Sequence, residues 1–277
     1  MAGYGSSAGH ESEQPAYLIF DTESVPDGKL LSRTKYSEES LSPEEAISRA
    51  QAEAREKSHS GSDFLPVTFQ YPVATCVLRV ASDFRLQQIT CLDAPDFRPR
   101  KIVEEFWRRL GKSRETYGRR LRLVTFNGRG FDLPLLELAA FRYGCSGRDH
   151  FADRKRFDSW HLDLMEFLTN YGAFKMVGGL NLLSKILGKP GKMNVQGHMV
   201  YEMHKAGKAQ DINDYCMFDT LDTFFVFLRT RILTGELTLE DEHIAVLKAK
   251  DWLQSKVPEL PALKQYLDGW GDWDPWP

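Results

Sequence analysis

The chain has 277 residues, 42% of them hydrophobic and 12% aromatic, enough to bury the core of one α/β domain. Its 36 Lys and Arg against 39 Asp and Glu give a net charge of −3, which excludes a globally basic coat for polyanions. No apolar run approaches the roughly eighteen residues of a membrane span, and Cys76, Cys91, Cys145 and Cys216 lack the Cys-x-x-Cys spacing of a zinc site.

Residues 1–15 are small, polar and charged, without the apolar centre of a signal peptide, and are expected to form a disordered tail on a cytoplasmic protein with reduced thiols. Ala16 to Phe20 reads as a short buried strand. Asp21 and Glu23 follow, two apart, so both side chains point the same way at its end. Two hard oxygen donors suit Mg²⁺ or Mn²⁺ better than zinc, although the same spacing is common in solvated turns. Residues 28–66, rich in Ser, Glu and Lys, form an insertion that either covers a cleft or is a disordered or decorative loop. It includes a helix from Pro43 to Lys57 after a Ser42 cap.

Two strand-like runs come next, Phe69 to Val80 and Phe84 to Cys91, joined by a tight turn at Ala81-Ser82-Asp83. A helix from Lys101 to Leu110 carries an apolar stripe of Ile102, Phe106, Trp107 and Leu110. From Arg98 to Arg122 ten Lys or Arg stand against three Glu, a local net of +7 that either steers a polyanion or is a solvated face. The strand Leu121 to Phe126 then leads through Asn127-Gly128-Arg129-Gly130-Phe131 to Asp132. There a helix begins whose Leu135, Leu136, Leu138, Ala139 and Phe141 are expected to line one broad face. Asp132 can cap that helix, with Pro134 in its first turn, and still aim an oxygen at a metal.

Residues 156–162 read as a further strand. Asp163 after it caps the next helix or supports a site from behind, and His161 reads as structural. Lys192 and Asn194 lie in a turn-rich loop, Gly188 to Gly197, where they touch phosphate or base or simply face solvent. A long helix, about Asp211 to Arg231, buries Ile212, Tyr215, Phe218, Phe225 and Leu228 at a period near 3.6. Tyr215 and Asp219, four apart, share one of its faces, and Asp222 one turn on reads as a solvated neighbour. Trp270, Trp273 and Trp276 mark a tail that folds back on the domain or docks in a partner's groove.

Four carboxylates gathered by a fold repel one another, so Asp21, Glu23, Asp132 and Asp219 together imply bound divalent cations and a phosphate-bearing substrate. In this order, and with Tyr215, they resemble the DEDDy branch of the DnaQ-like 3′-to-5′ exonucleases. The closest likeness is to predicted exonucleases related to the proofreading domain of family B DNA polymerases, over about Tyr17 to Thr234. That family places Asp-x-Glu first, then an Asp after Asn-x-x-x-Phe, then Tyr-x-x-x-Asp. A sister branch carries His five residues before the last Asp, a place that Asp214 occupies here. Leu162-Asp163-Leu164-Met165 and Gly188-Lys189-Pro190-Gly191-Lys192-Met193 also look like the family.

The resemblance implies an α/β fold, a ribonuclease H-like mixed five-stranded sheet flanked by helices with a mostly helical C-terminal part. It implies an exonuclease domain over residues 16–235 and a C-terminal extension with a Trp-rich tail over 236–277. Asp21, Glu23, Asp132 and Asp219 would hold two Mg²⁺ or Mn²⁺ ions, with Tyr215 orienting the attacking water, since an ordinary phenol is a poor base at neutral pH. Asn127, Phe131 and Lys192 would contact substrate. The expected substrate is the 3′ end of single-stranded or frayed DNA, cut to nucleoside 5′-monophosphates. RNA is the close alternative, because nothing in these motifs reads a 2′-hydroxyl. A binding-only module is a second alternative, but it has no reason to keep four mutually repelling acids. A protein partner is expected only through the Trp-rich tail, and no membrane partner is expected. Too few residues follow Asp219 for a polymerase domain, so a proofreading task would need a separate partner.

Overall fold

Side chains of β1 (Pro15–Pro26) alternate between two separate cores, and this strand organises the molecule. Tyr17 and Ile19 join one buried cluster, while Leu18 and Phe20 join the other on the opposite face. The computed structural model describes residues 15–59, 61–118, 121–153, 160–193 and 197–271. The expected strand 156–162 is described only at its end, and Asn194 lies outside the described residues.

α1 (Gly28–Thr34) and α2 (Pro43–Lys57) lie in the insertion and are ordered rather than loop-like. Leu31, Tyr36, Ala46, Ile47, Ala50 and Leu65 form their own small core. The Ser42 hydroxyl accepts the Glu45 N–H, and the Glu45 carboxylate accepts the Ser42 N–H in return. β2 (Gln70–Ala81) pairs antiparallel with β1, and β3 (Leu86–Cys91) with β2. Phe84, expected to start β3, instead takes φ 65° in the turn and stacks its ring 5.8 Å from Tyr17. α3 (Pro99–Tyr117) buries the predicted stripe and continues well past Leu110.

β4 (Arg122–Thr125) pairs in parallel with β1 on its other edge, and α4 (Asp132–Tyr143) follows. The expected broad apolar face of α4 is narrower than the sequence suggests. Leu135, Leu136, Ala139 and Ala140 are buried, whereas Leu138 is 41% and Phe141 89% exposed. After α5 (Arg148–Asp153), β5 (His161–Asp163) pairs in parallel with β4 and completes the order β3-β2-β1-β4-β5. This is the ribonuclease H-like mixed sheet that the sequence leads one to expect.

The remainder is helical: α6 (Leu164–Leu168), α7 (Gly179–Ile186), α8 (Val200–Lys205), α9 (Ala209–Leu233), α10 (Leu239–Lys256) and α11 (Ala262–Asp268). α9 lies across β1 and β2 and is roofed by α7, α8 and α10, so it is apolar on nearly every side. Phe224, Phe225, Phe227 and Leu228 are fully buried, each side chain contributing about 1.5–3 kcal/mol of hydrophobic stabilisation.

Asp222 is buried rather than solvated, because α11 covers that face and Tyr266 donates its hydroxyl to Asp222 Oδ1 at 2.7 Å. Trp270 turns back onto the domain, 5.0 Å from the ring of Phe225 and beneath the Lys189 ammonium at 4.3 Å. Residues 272–277, with Trp273 and Trp276, lie outside the described residues. Among the described residues no helix is long and apolar enough to cross a membrane.

Candidate active site

β1 outruns β4. Only Tyr17 to Ile19 pair with β4, so the strand from Phe20 onward keeps β2 on one edge and loses its partner on the other. Asp21 and Glu23 sit on this overhang, paired across to Cys76 and Ala74, and therefore lie within a strand that continues to Pro26 rather than at a strand's end. The open edge is closed by α4: Asp132 Oδ1 accepts the backbone N–H of Thr22 at 2.8 Å. Asp132 is thus the first residue of its helix, and a carboxylate that could have capped it is directed across to β1.

From the opposite face, α9 brings Asp219 against the same pair. One carboxylate oxygen from each of Asp21, Glu23 and Asp219 lies within 4.8 Å of the others. Asp132 stands beside this group rather than in it, close enough for its charge to act on both Asp21 and Glu23. Tyr215, one turn before Asp219, is 6% exposed and donates its hydroxyl to the Asp219 carboxylate. Asp21 Oδ2 is buried without any hydrogen-bond partner. A buried orphan oxygen within a set of hard donors fits a divalent cation such as Mg²⁺ or Mn²⁺.

A comparison with protein families matches residues 62–270 to the family described as predicted 3′-5′ exonuclease related to the exonuclease domain of PolB. The chain belongs to this family, and it is an exonuclease. No curated protein matches it. The matched segment of the exonuclease contains Asp132, Tyr215 and Asp219. Asp21 and Glu23 precede that segment and reach Asp219 through the fold.

Electrostatically this candidate site is overloaded with negative charge. Burial first, then Asp132, Glu23 and Asp219, push the Asp21 carboxyl well above its ordinary range. Burial, then Asp219 and Asp132, do the same to Glu23, with Lys192 opposing. Burial raises Asp132 to about 7 and Asp219 to about 6; for Asp219 the Tyr215 hydroxyl and Lys192 pull the other way. Burial and the charge of Asp219 raise the Tyr215 phenol, so it stays protonated. With its proton directed to Asp219, the phenol oxygen keeps lone pairs that can accept from water.

The residues expected to touch substrate fall around this centre. Asn127 is exposed, in the left-handed conformation at φ 64°, and Gly128 follows where any Cβ would meet the Thr125 side chain at 2.5 Å. Phe131 packs 5.4 Å from Phe64, so the insertion reaches the loop next to Asp132. Lys192 is exposed; its backbone N–H is held by Asn181 Oδ1 at 2.8 Å, and its ammonium acts on Glu23 and Asp219.

Asp163 does both things that the sequence allowed. One of its oxygens caps α6 through the N–H groups of Met165 and Glu166, and its carboxylate also accepts those of Asn127 at 2.9 Å and Arg129 at 2.8 Å. It therefore holds the β4–α4 loop that delivers Asp132. His161 is buried with Nε2 2.8 Å from the Thr125 hydroxyl, and burial lowers it to about 3, so it is neutral. The basic segment around α3 is partly paired in place: Arg98 pairs with Asp93, Arg100 and Lys101 with Glu104, and Arg109 with Glu105. Asn181 and Tyr266 carried no sequence signal, since one acts through the backbone and the other across an interhelical contact.

Proposed function

We propose that this exonuclease is a two-metal-ion enzyme that removes nucleoside 5′-monophosphates from the 3′ end of single-stranded or frayed DNA. The observation that carries this reading is the meeting of Asp21, Glu23 and Asp219 within 4.8 Å, with an orphan Asp21 oxygen and Asp132 alongside. Asp21, Glu23 and Asp219 would hold one ion, and Asp21 and Asp132 the second. When bound, such a pair supplies positive charge at the attacking and departing oxygens of an in-line displacement.

The chain's own groups do the rest. Tyr215, fixed by Asp219, offers its phenol oxygen to orient the water and is too weak an acid to exchange its own proton. Lys192 presents a cation that acts on both Glu23 and Asp219, a position suited to a non-bridging phosphate oxygen. Phe131, paired with Phe64, offers a ring to an unstacked base, and Asn127 offers its exposed amide beside it.

The test uses purified protein with Mg²⁺ or Mn²⁺ on matched single strands labelled at the 5′ or the 3′ end. The expected result is a ladder shortening from the 3′ end of DNA, with mononucleotide product, abolished by Asp21→Asn. Digestion of RNA alone would replace the DNA reading with the exoribonuclease one. Undiminished digestion by Asp21→Asn would end the metal-site assignment.

A further inference from the structure

A cavity of about 290 Å³ opens beside Tyr215. Met193, Met199, Met203, Tyr215 and Phe218 line it, together with Lys208, Asp211 and Asp214. No part of the chemistry above uses it. We propose that this cavity is a nucleobase pocket for the substrate strand, and that Asp214 selects bases carrying an exocyclic amino group; this rests on the exonuclease reading of the site.

Three features determine the occupant. Thioethers and aromatic rings favour a flat, polarisable ring, and 290 Å³ is ample for a base of either size. Asp211 and Asp214 outweigh the cation Lys208 in the lining, which disfavours phosphate and admits a neutral base. Tyr215 lines the cavity and also acts on Asp219 through its hydroxyl, so a base bound there lies next to the acidic cluster.

The selectivity follows from hydrogen-bond inventory. Asp214 Oδ1 accepts from Gln210 Nε2 at 2.8 Å, and Oδ2 makes no hydrogen bond among the described residues. An ionised carboxylate only accepts. It therefore suits the amino groups of cytosine, adenine and guanine and repels the carbonyl that thymine or uracil places where cytosine has N4. Asp214 occupies the position at which the sister branch carries its His, so the residue that marks the branch also shapes this pocket.

The experiment compares single strands that differ only in their last three bases, dC against dT. Hydrolysis is followed in Mg²⁺, and binding is followed by fluorescence anisotropy in Ca²⁺. The expected result is a KM and a Kd lower for the dC strand by about tenfold, the effect of one good base contact. Asp214→Asn, which can donate as well as accept, should bring the ratio below about twofold while kcat is retained. Met199→Trp, at a lining residue 38% exposed, should fill part of the cavity and weaken binding of both strands while the melting temperature is held.

A wild-type ratio near one in both assays would overturn the proposal. So would a ratio unchanged in Asp214→Asn, or Met199→Trp binding as the parent does. A dC preference in Ca²⁺ without hydrolysis in Mg²⁺ or Mn²⁺ would keep the pocket and remove the catalytic reading. Hydrolysis without preference would do the reverse.

Discussion

The Asp132 carboxylate and the Thr22 backbone N–H, 110 positions apart in sequence, meet at 2.8 Å and seal the edge of β1 where β4 stops. One contact thus sets the position of an acid and satisfies a strand that has lost its partner. Asp132→Asn keeps an acceptor for Thr22, whereas Asp132→Ala leaves that buried N–H unpaired at about 1–3 kcal/mol. The Asn variant should therefore unfold at higher denaturant than the Ala variant, with both losing at least about 100-fold in kcat. Equal stability of the two would show that the contact contributes nothing.

Stability without metal should fall as pH rises. In the denatured chain an Asp releases its proton near pH 4, whereas burial keeps Asp219 protonated to about pH 6 and Asp132 to about pH 7. The unfolded state therefore binds fewer protons than the folded state between these limits, and stability drains away across that window. In EDTA the melting temperature should decline from pH 4 through pH 7, with Asp21 and Glu23, also held well above their ordinary range, adding to the loss. Added Mg²⁺ at pH 8 should raise the melting temperature. A metal-free protein that gained stability over that interval would contradict the charge arrangement.

Tyr215→Phe removes the hydroxyl that points at Asp219 and leaves the ring in place. The expected effect is a fall in kcat of about 100-fold with KM held, and little change in unfolding. A loss confined to KM would move Tyr215 from the chemistry to binding.

Asp163→Ala deprives four backbone N–H groups of their acceptor, two in the loop before Asp132 and two at the start of α6. Destabilisation of about 2–4 kcal/mol is expected, together with lower activity as the loop slackens. Chemical denaturation read beside single-turnover rates would check both. Full activity in a destabilised variant would confine Asp163 to capping.

Tyr266→Phe tests the clamp of α11 on α9. Asp222 is 1% exposed with Oδ2 already lacking a partner, and burial raises it to about 7. Losing the Tyr266 hydroxyl should cost about 1–3 kcal/mol and leave KM unchanged. Unfolding as the parent does would show that Asp222 finds another donor.

Residue types, spacing and order by themselves marked the acids at 21, 23, 132 and 219 and Tyr215 as candidates, and determined the α2 cap and the buried stripes of α3 and α9, because each is a local pattern with one period or one junction. Local periodicity misjudged α4, whose Leu138 and Phe141 face outward, and Asp222, which looked solvated until α11 was placed over it. Only the tertiary structure decided that β1 overhangs β4, that Asp132 closes the exposed edge, that Asp163 ties one loop to another, and that a cavity lined by three methionines lies beside Tyr215. The reason is physical: a hydrogen bond or a cavity wall between segments far apart in the chain depends on where strands end and helices cross. Those distances are fixed by packing two cores at once and leave no mark on any single stretch of sequence.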